Sequence, residues 1–253
     1  MFFEKYKKNE VGVSPMKLTF LKSIFAVGML CSILPAQAAL VLGTGSSALI
    51  GGDLTDPENN ASASSNVGYD AVFSASHENI FNNEGAFNVF DNTVGSGNAK
   101  WCCNGPGTQA QDLSQSNLRS VWVEADFGLD RYFLNVFTLA SGNDVAGRDA
   151  DQWRLLGSND GINYSAIYTW DNNGRSVWSA RNQVVEFSSA MGDFATQTTA
   201  YSIFRYEAYS TINQGLHQVN ELELFGVRDV PEPAGIAALG LAMLLLGSRK
   251  LRA

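Results

Sequence analysis

Two stretches concentrate side chains that could recognise a polar, ring-shaped ligand. Asn143-Asp144-Val145-Ala146-Gly147-Arg148-Asp149 is dense in hydrogen-bonding groups, and Trp178 and Arg181 stand in the polar stretch 171–181. A Trp face packs against the apolar C–H patch of a sugar ring, while Arg, Asn and carboxylate groups bond its hydroxyls. Asn143, Arg148, Asp149, Trp178 and Arg181 are therefore the candidate ligand-binding residues. Each has a plainer alternative: an Arg148–Asp149 salt bridge that merely holds its loop, and a Trp178 packed into the core. Trp101, Trp122 and Trp153 read as structural.

Cys102 and Cys103 are adjacent. A vicinal disulfide that stiffens the loop after Trp101 is the expected state, with free thiols or intermolecular links as alternatives. A metal would need further ligands, and no Cys or His stands beside the pair at useful spacing. His77 and His217 are the only histidines, and no Gly-x-Ser-x-Gly, His-Glu-x-x-His or phosphate-loop motif occurs. The acidic pairs Asp149/Asp151 and Glu221/Glu223 have the residue types of glycoside hydrolysis, but acids are abundant enough for such pairs to arise by chance. The sequence therefore reads as a non-enzyme.

Charge is unevenly placed. Five basic and two acidic residues precede Ala39, and three basic and one acidic follow Val230, so the chain's 17 and 25 leave nine basic against 22 acidic residues between them. A body with net charge −13, whose single lysine is Lys100, repels phosphate backbones and makes nucleic acid a poor partner. The basic residues gather where targeting segments belong. From Met16 the chain reads Met-Lys-Leu-Thr-Phe-Leu-Lys, then an apolar run over 23–34, then Pro35-Ala36-Gln37-Ala38. That pattern is a secretory signal peptide with cleavage after Ala38, and translation could begin at Met1 or Met16.

The other end carries Pro231-Glu232-Pro233, an almost wholly apolar stretch over 234–247, and Ser248-Arg249-Lys250-Leu251-Arg252-Ala253. Fourteen residues of helix span about 21 Å, short of the roughly 30 Å of bilayer hydrocarbon. The ordered set of Pro-Glu-Pro, short apolar helix and basic cluster resembles the PEP-CTERM sorting signal of Gram-negative bacteria. The resemblance implies handling by an exosortase after signal peptidase, transient anchoring in the inner membrane, and delivery to the surface or extracellular matrix.

Between these ends, short β-type runs are separated by Gly, Asn and Asp clusters, which predicts an all-β sandwich. Residues 121–127 alternate strictly, with Val121, Val123, Ala125 and Phe127 on one face. Runs at 132–140, 152–156, 164–170, 182–187 and 202–209 follow, and Asp160-Gly161 marks a tight turn. In 219–225, Leu222 and Leu224 face one way and both glutamates the other. Residues 39–70 are expected as a lead-in, 71–229 as the sandwich, and 230–253 as the sorting signal.

Several segments resemble the discoidin, or coagulation-factor C-type, domains in chain order: Phe73-Ser74-Ala75-Ser76, Val89-Phe90-Asp91-Asn92 with Lys100-Trp101, Trp122-Val123-Glu124-Ala125-Asp126-Phe127-Gly128, Gly157-Ser158-Asn159-Asp160-Gly161, and Glu221-Leu222-Glu223-Leu224-Phe225-Gly226. The resemblance implies a galactose-binding-like jelly roll that binds ligands with loops at one end. It also implies a structural calcium held by Asp91 and Glu221, both hard oxygen donors. Here 93–98 lengthen the Asp loop, and Ala99 stands where many relatives have Thr. The expected function is non-catalytic carbohydrate binding, for example to a biofilm exopolysaccharide. The runner-up is a structural matrix or adhesion protein that binds protein or itself.

Overall fold

A computed structural model describes residues 39–62, 65–95 and 97–230. The signal-peptide and sorting-signal assignments, including Pro231, Glu232 and Pro233 and the C-terminal apolar helix, lie outside the described residues. Ten strands follow in chain order: β1 (Leu40–Thr44), β2 (Val72–Ala75), β3 (Trp101–Cys102), β4 (Val121–Asp126), β5 (Tyr132–Ser141), β6 (Ala150–Ser158), β7 (Ser165–Asp171), β8 (Gln183–Ser188), β9 (Ile203–Thr211) and β10 (Gln218–Arg228). They form two five-stranded sheets, β1-β8-β5-β10-β3 and β2-β4-β9-β6-β7, in which every paired neighbour is antiparallel. This is the all-β sandwich that the strand pattern predicts, in the jelly-roll form that the discoidin resemblance implies. Among the described residues no helix is long and apolar enough to cross a membrane.

Period-two alternation decides which side chains meet between the sheets. Val121, Val123 and Ala125 turn inward from β4 and Phe204, Tyr206 and Ala208 from β9, where each strand lies in register with the other. From the facing sheet come Phe137 and Leu139 of β5, Phe187 of β8, and Leu222 and Leu224 of β10. Phe137 stacks on Phe187 at 4.6 Å and meets Trp153 edge-on at 6.4 Å, so aromatic contacts cross the core.

The outer face of the first sheet is covered as well as the inner one. Glu221 and Glu223 do point away from Leu222 and Leu224, but they are 1% and 0% exposed rather than solvated. The segment expected only as a lead-in covers them. It supplies edge strand β1 and then crosses the sheet, so that Ile50 and Gly51 donate their N–H groups to the Glu223 carboxylate, which also accepts from the Thr138 hydroxyl. Asp53 accepts from the Leu224 N–H, and the Leu54 N–H donates to the Leu224 carbonyl. Alternation tells the two faces of a strand apart; it does not say what lies over the second face.

Trp178 takes the second of its two sequence readings, core packing. Instead of an exposed platform, its ring is 5% exposed, belongs to the main core cluster, and donates its indole N–H to the Leu139 carbonyl at 3.1 Å. The apolar ring outweighs the polar character of the loop around it. Trp178→Ala should therefore cost about 3–5 kcal/mol of stability, as for other large-to-small core changes, read as a lowered urea midpoint. A midpoint matching the parent would mean that the ring does not pack as described.

Candidate functional site

One end of the sandwich gathers the β5–β6 connection (142–149), the β7–β8 connection (172–182) and the β9–β10 connection (212–217). They are tied together through backbone bonds: the N–H groups of Asn213 and Gln214 donate to the Gly147 carbonyl, and Ile212 N–H donates to that of Asp149. Gly147 lets the Asn213 side chain lie close over it, because a Cβ at that position would lie 1.8 Å from the Asn213 side-chain oxygen and displace it. Between the loops lies a cleft of about 370 Å³, lined among others by Gly147, Asp149, Ser176, Trp178, Arg181 and Asn213.

The structure thus brings three of the five candidate residues, Asp149, Trp178 and Arg181, into one concavity. Asp149 is buried, and both of its oxygens accept from the Arg181 guanidinium, one at 2.7 Å; the Ser176 hydroxyl adds a third bond at 3.1 Å. A bidentate charged pair of this kind fixes both partners in direction as well as position. Burial raises the Asp149 pKa, while Arg181 and Ser176 oppose the rise. The Arg181 side chain remains 23% exposed, so part of its fork of donors faces the cleft opening.

Asn143 and Arg148 turn elsewhere. Asn143 accepts from the Lys100 ammonium at 2.6 Å and donates to the Gly97 carbonyl, so its amide is committed to holding loops. Arg148 does not pair with Asp149. Its guanidinium approaches Asp144 at 3.7 Å and the sulfurs of Cys102 and Cys103 at 4.0 and 3.8 Å. Cys102 and Cys103 are joined to each other by a disulfide. Lys100, the one lysine of the body, is buried and pairs with Asp144 at 3.0 Å and Glu84 at 3.9 Å.

Sequence reasoning passed over Phe81, Asn213 and Glu84. Phe81 is a fully exposed ring on the 77–85 loop, which joins this end through the bond from Asn104 N–H to His77 Nε2. Its signal was an aromatic set in a run of asparagines. Asn213 had no local signal, because its role depends on the distant Gly147.

Asp91 and Glu221 meet on the outer face of the first sheet. The Thr93 N–H donates to Asp91 at 2.9 Å and to Glu221 at 3.3 Å, so one backbone donor joins the two carboxyl groups. Burial pushes Asp91 up to about 7 and Glu221 well above its usual range, the latter helped by repulsion from Asp91, Asp53 and Glu223. Among the described residues, neither forms an ion pair. Beside them, Asn92 holds a buried side-chain oxygen that has no hydrogen-bond partner.

No family model matches the sequence, and no curated protein matches it. Among solved structures, it is similar to the module CpGH89CBM32-5 from Clostridium perfringens, in complex with GalNAc-beta-1,3-galactose, at 16% identity over 62% of this chain and 96% of that one, with a TM-score of 0.43. It is likewise similar to chitosan-binding module 1 of a chitosanase/glucanase from Paenibacillus sp. IK-5, at 16% identity over 62% and 96% of the two chains, with a TM-score of 0.42. The family 32 carbohydrate-binding module of C. perfringens NanJ, in complex with galactose, gives 12% identity over 61% and 93%, with a TM-score of 0.42.

His217 lies beneath the 142–149 connection at the cleft end. It is fully buried, with Nδ1 2.9 Å from the Arg148 carbonyl and Nε2 without a partner, an arrangement that suits the neutral ring protonated on Nδ1. Burial lowers its pKa to about 4. A histidine lowered in the fold contributes stability that is present above its ordinary value near 6.5 and is lost as pH falls toward 4. The stability difference between the parent and His217→Gln, from urea unfolding, should therefore shrink between pH ~7 and pH ~4.5. A difference independent of pH would contradict a buried neutral imidazole.

Proposed function

We propose that this chain is an exported, non-catalytic carbohydrate-binding protein that takes its ligand in the cleft at the end of the sandwich. The observation that supports this reading is the convergence of Asp149 and Arg181 with Asn213 and Ser176 in one cleft of about 370 Å³. A sugar presents ring hydroxyls that both donate and accept. The Arg181 fork supplies donors, and the exposed Asn213 amide supplies both kinds of group. Binding rather than turnover suits Asp149, whose charge is engaged by two bonds from Arg181 and is not free to act as nucleophile or acid.

A calcium ion fits the second site. Asp91 and Glu221 would hold it with their carboxylates and Asn92 with its unpartnered amide oxygen, all hard donors. The ion would neutralise two acids now buried against each other. The chain ends complete the reading. A signal peptide to residue 38 and the Pro231-Glu232-Pro233 tail suit signal peptidase and exosortase as export partners, with passage through the inner membrane to the surface or matrix of a Gram-negative bacterium. A second reading, adhesion to protein, draws on Phe81 and Ile80, both exposed on the 77–85 loop.

A glycan array decides between the two readings. The parent should retain a selective set of sugars, and Asn213→Ala should weaken the best of them by about tenfold, the worth of a neutral hydrogen bond, without moving the melting temperature. No retained glycan would favour adhesion, and equal binding by the variant would put the site elsewhere.

Calcium is tested by melting with the ion and with chelator. At 100 times its dissociation constant the ion adds about 2.7 kcal/mol, and Asp91→Asn should erase that gain. Without calcium, the raised Asp91 contributes stability below its ordinary value near pH 4 that is lost as pH rises through about 7. The ion needs the deprotonated carboxylates, so its effect should be larger near pH 8 than near pH 5.5. Identical melts with ion and chelator at both pH values would remove calcium from the account.

A further inference from the structure

The disulfide sits among charges that balance without it. Within its surroundings, Glu84 and Asp144 are acidic and Lys100 and Arg148 basic, linked at 3.9, 3.0 and 3.7 Å. The two sulfurs and a Glu84 carboxylate oxygen lie within 4.8 Å of one another, with Cys103 Sγ 3.9 Å from Glu84 Oε2. Glu84 and Cys102 are buried, while Cys103 is partly open to solvent. Arg148 faces the neutral sulfurs, and its Nε is buried without a partner.

Reduction changes this balance. Two thiolates would add two negative charges to a neutral group of four, and a divalent cation would restore neutrality. Thiolate and carboxylate together select zinc-like and softer ions over magnesium or calcium. The partly open side at Cys103 leaves room for water as a fourth ligand.

We propose that Cys102, Cys103 and Glu84 form a redox-gated site for a thiophilic divalent cation, closed as the disulfide and opened by two-electron reduction. With a phosphine as reductant, two electrons pass from phosphorus to the S–S bond, which breaks. One water supplies the oxygen of the phosphine oxide and the two thiol protons. Cation binding then forms two metal–sulfur bonds and one metal–oxygen bond, and releases those two protons. Arg148, beside both sulfurs, favours the thiolates that the cation requires. This site is separate from the cleft and does not depend on sugar binding.

The test titrates cadmium chloride into the full chain carrying Cys31→Ser, before and after phosphine reduction. After reduction the ultraviolet thiolate-to-cadmium band should appear and saturate at one cadmium per chain, and before reduction it should be absent. Glu84→Gln should weaken cadmium binding at least tenfold, and Glu84→Asp, which keeps the charge at shorter reach, should fall between parent and Gln. The comparison of the reduced with the oxidised Cys31→Ser chain needs no change at Glu84 and stands even if a Glu84 substitution disturbs folding. No band in the reduced parent, saturation at one cadmium per two chains, or unchanged affinity in Glu84→Gln would each overturn the assignment.

Discussion

A carboxylate removed from water must be matched, and at the cleft end Asp149 sets that requirement for three loops at once. Its two oxygens are satisfied by Arg181 and Ser176 of the β7–β8 connection, while its own backbone carbonyl receives Ile212 of the β9–β10 connection. Arg181 also donates to the Gly142 carbonyl at the start of the β5–β6 connection. Taking Arg181 away would leave a buried, unpaired charge, a loss of about 3–5 kcal/mol. The cleft therefore keeps its shape because the ion pair cannot relax without that cost, and a preformed site loses less on ligand binding.

The same demand is met differently across the first sheet. Glu221, Glu223, Asp53 and Asp91 are buried together with no lysine or arginine paired to them among the described residues. Glu223 and Asp53 are satisfied by backbone N–H groups and hydroxyls of the covering segment and its neighbours. Asp91 and Glu221 have fewer such donors and share the Thr93 N–H. The buried acids thus find two solutions, one by arginine and one by backbone donors.

Legibility in the sequence followed the range of the interactions. The strict alternation of Val121 to Phe127, the Asp160-Gly161 turn and the split faces of 219–225 are local and survive intact in β4, the β6–β7 turn and β10. The cover over Glu221 and Glu223 was not legible, because the Gly51–Glu223 bond spans 172 residues. Arg148 and Asp149 are neighbours in sequence, yet successive side chains diverge, and each found a partner on a different segment. For Trp178 both readings were open, because its polar neighbours describe the loop whereas its ring follows the core. Glu84 drew no notice at all, since only folding carries it to Cys103, 19 residues on.

The account turns on the cleft between the 142–149, 172–182 and 212–217 connections being where ligand sits. Backbone amide chemical-shift mapping on the labelled full chain, titrated with a sugar retained on the array, tests that directly. The account predicts saturable shifts concentrated at Gly147, Ser176, Ser179, Arg181 and Asn213, with the opposite end of the sandwich, around Leu129 and Ile162, unmoved. Shifts centred on that opposite end, or on the outer face of β4 and β9, would contradict it.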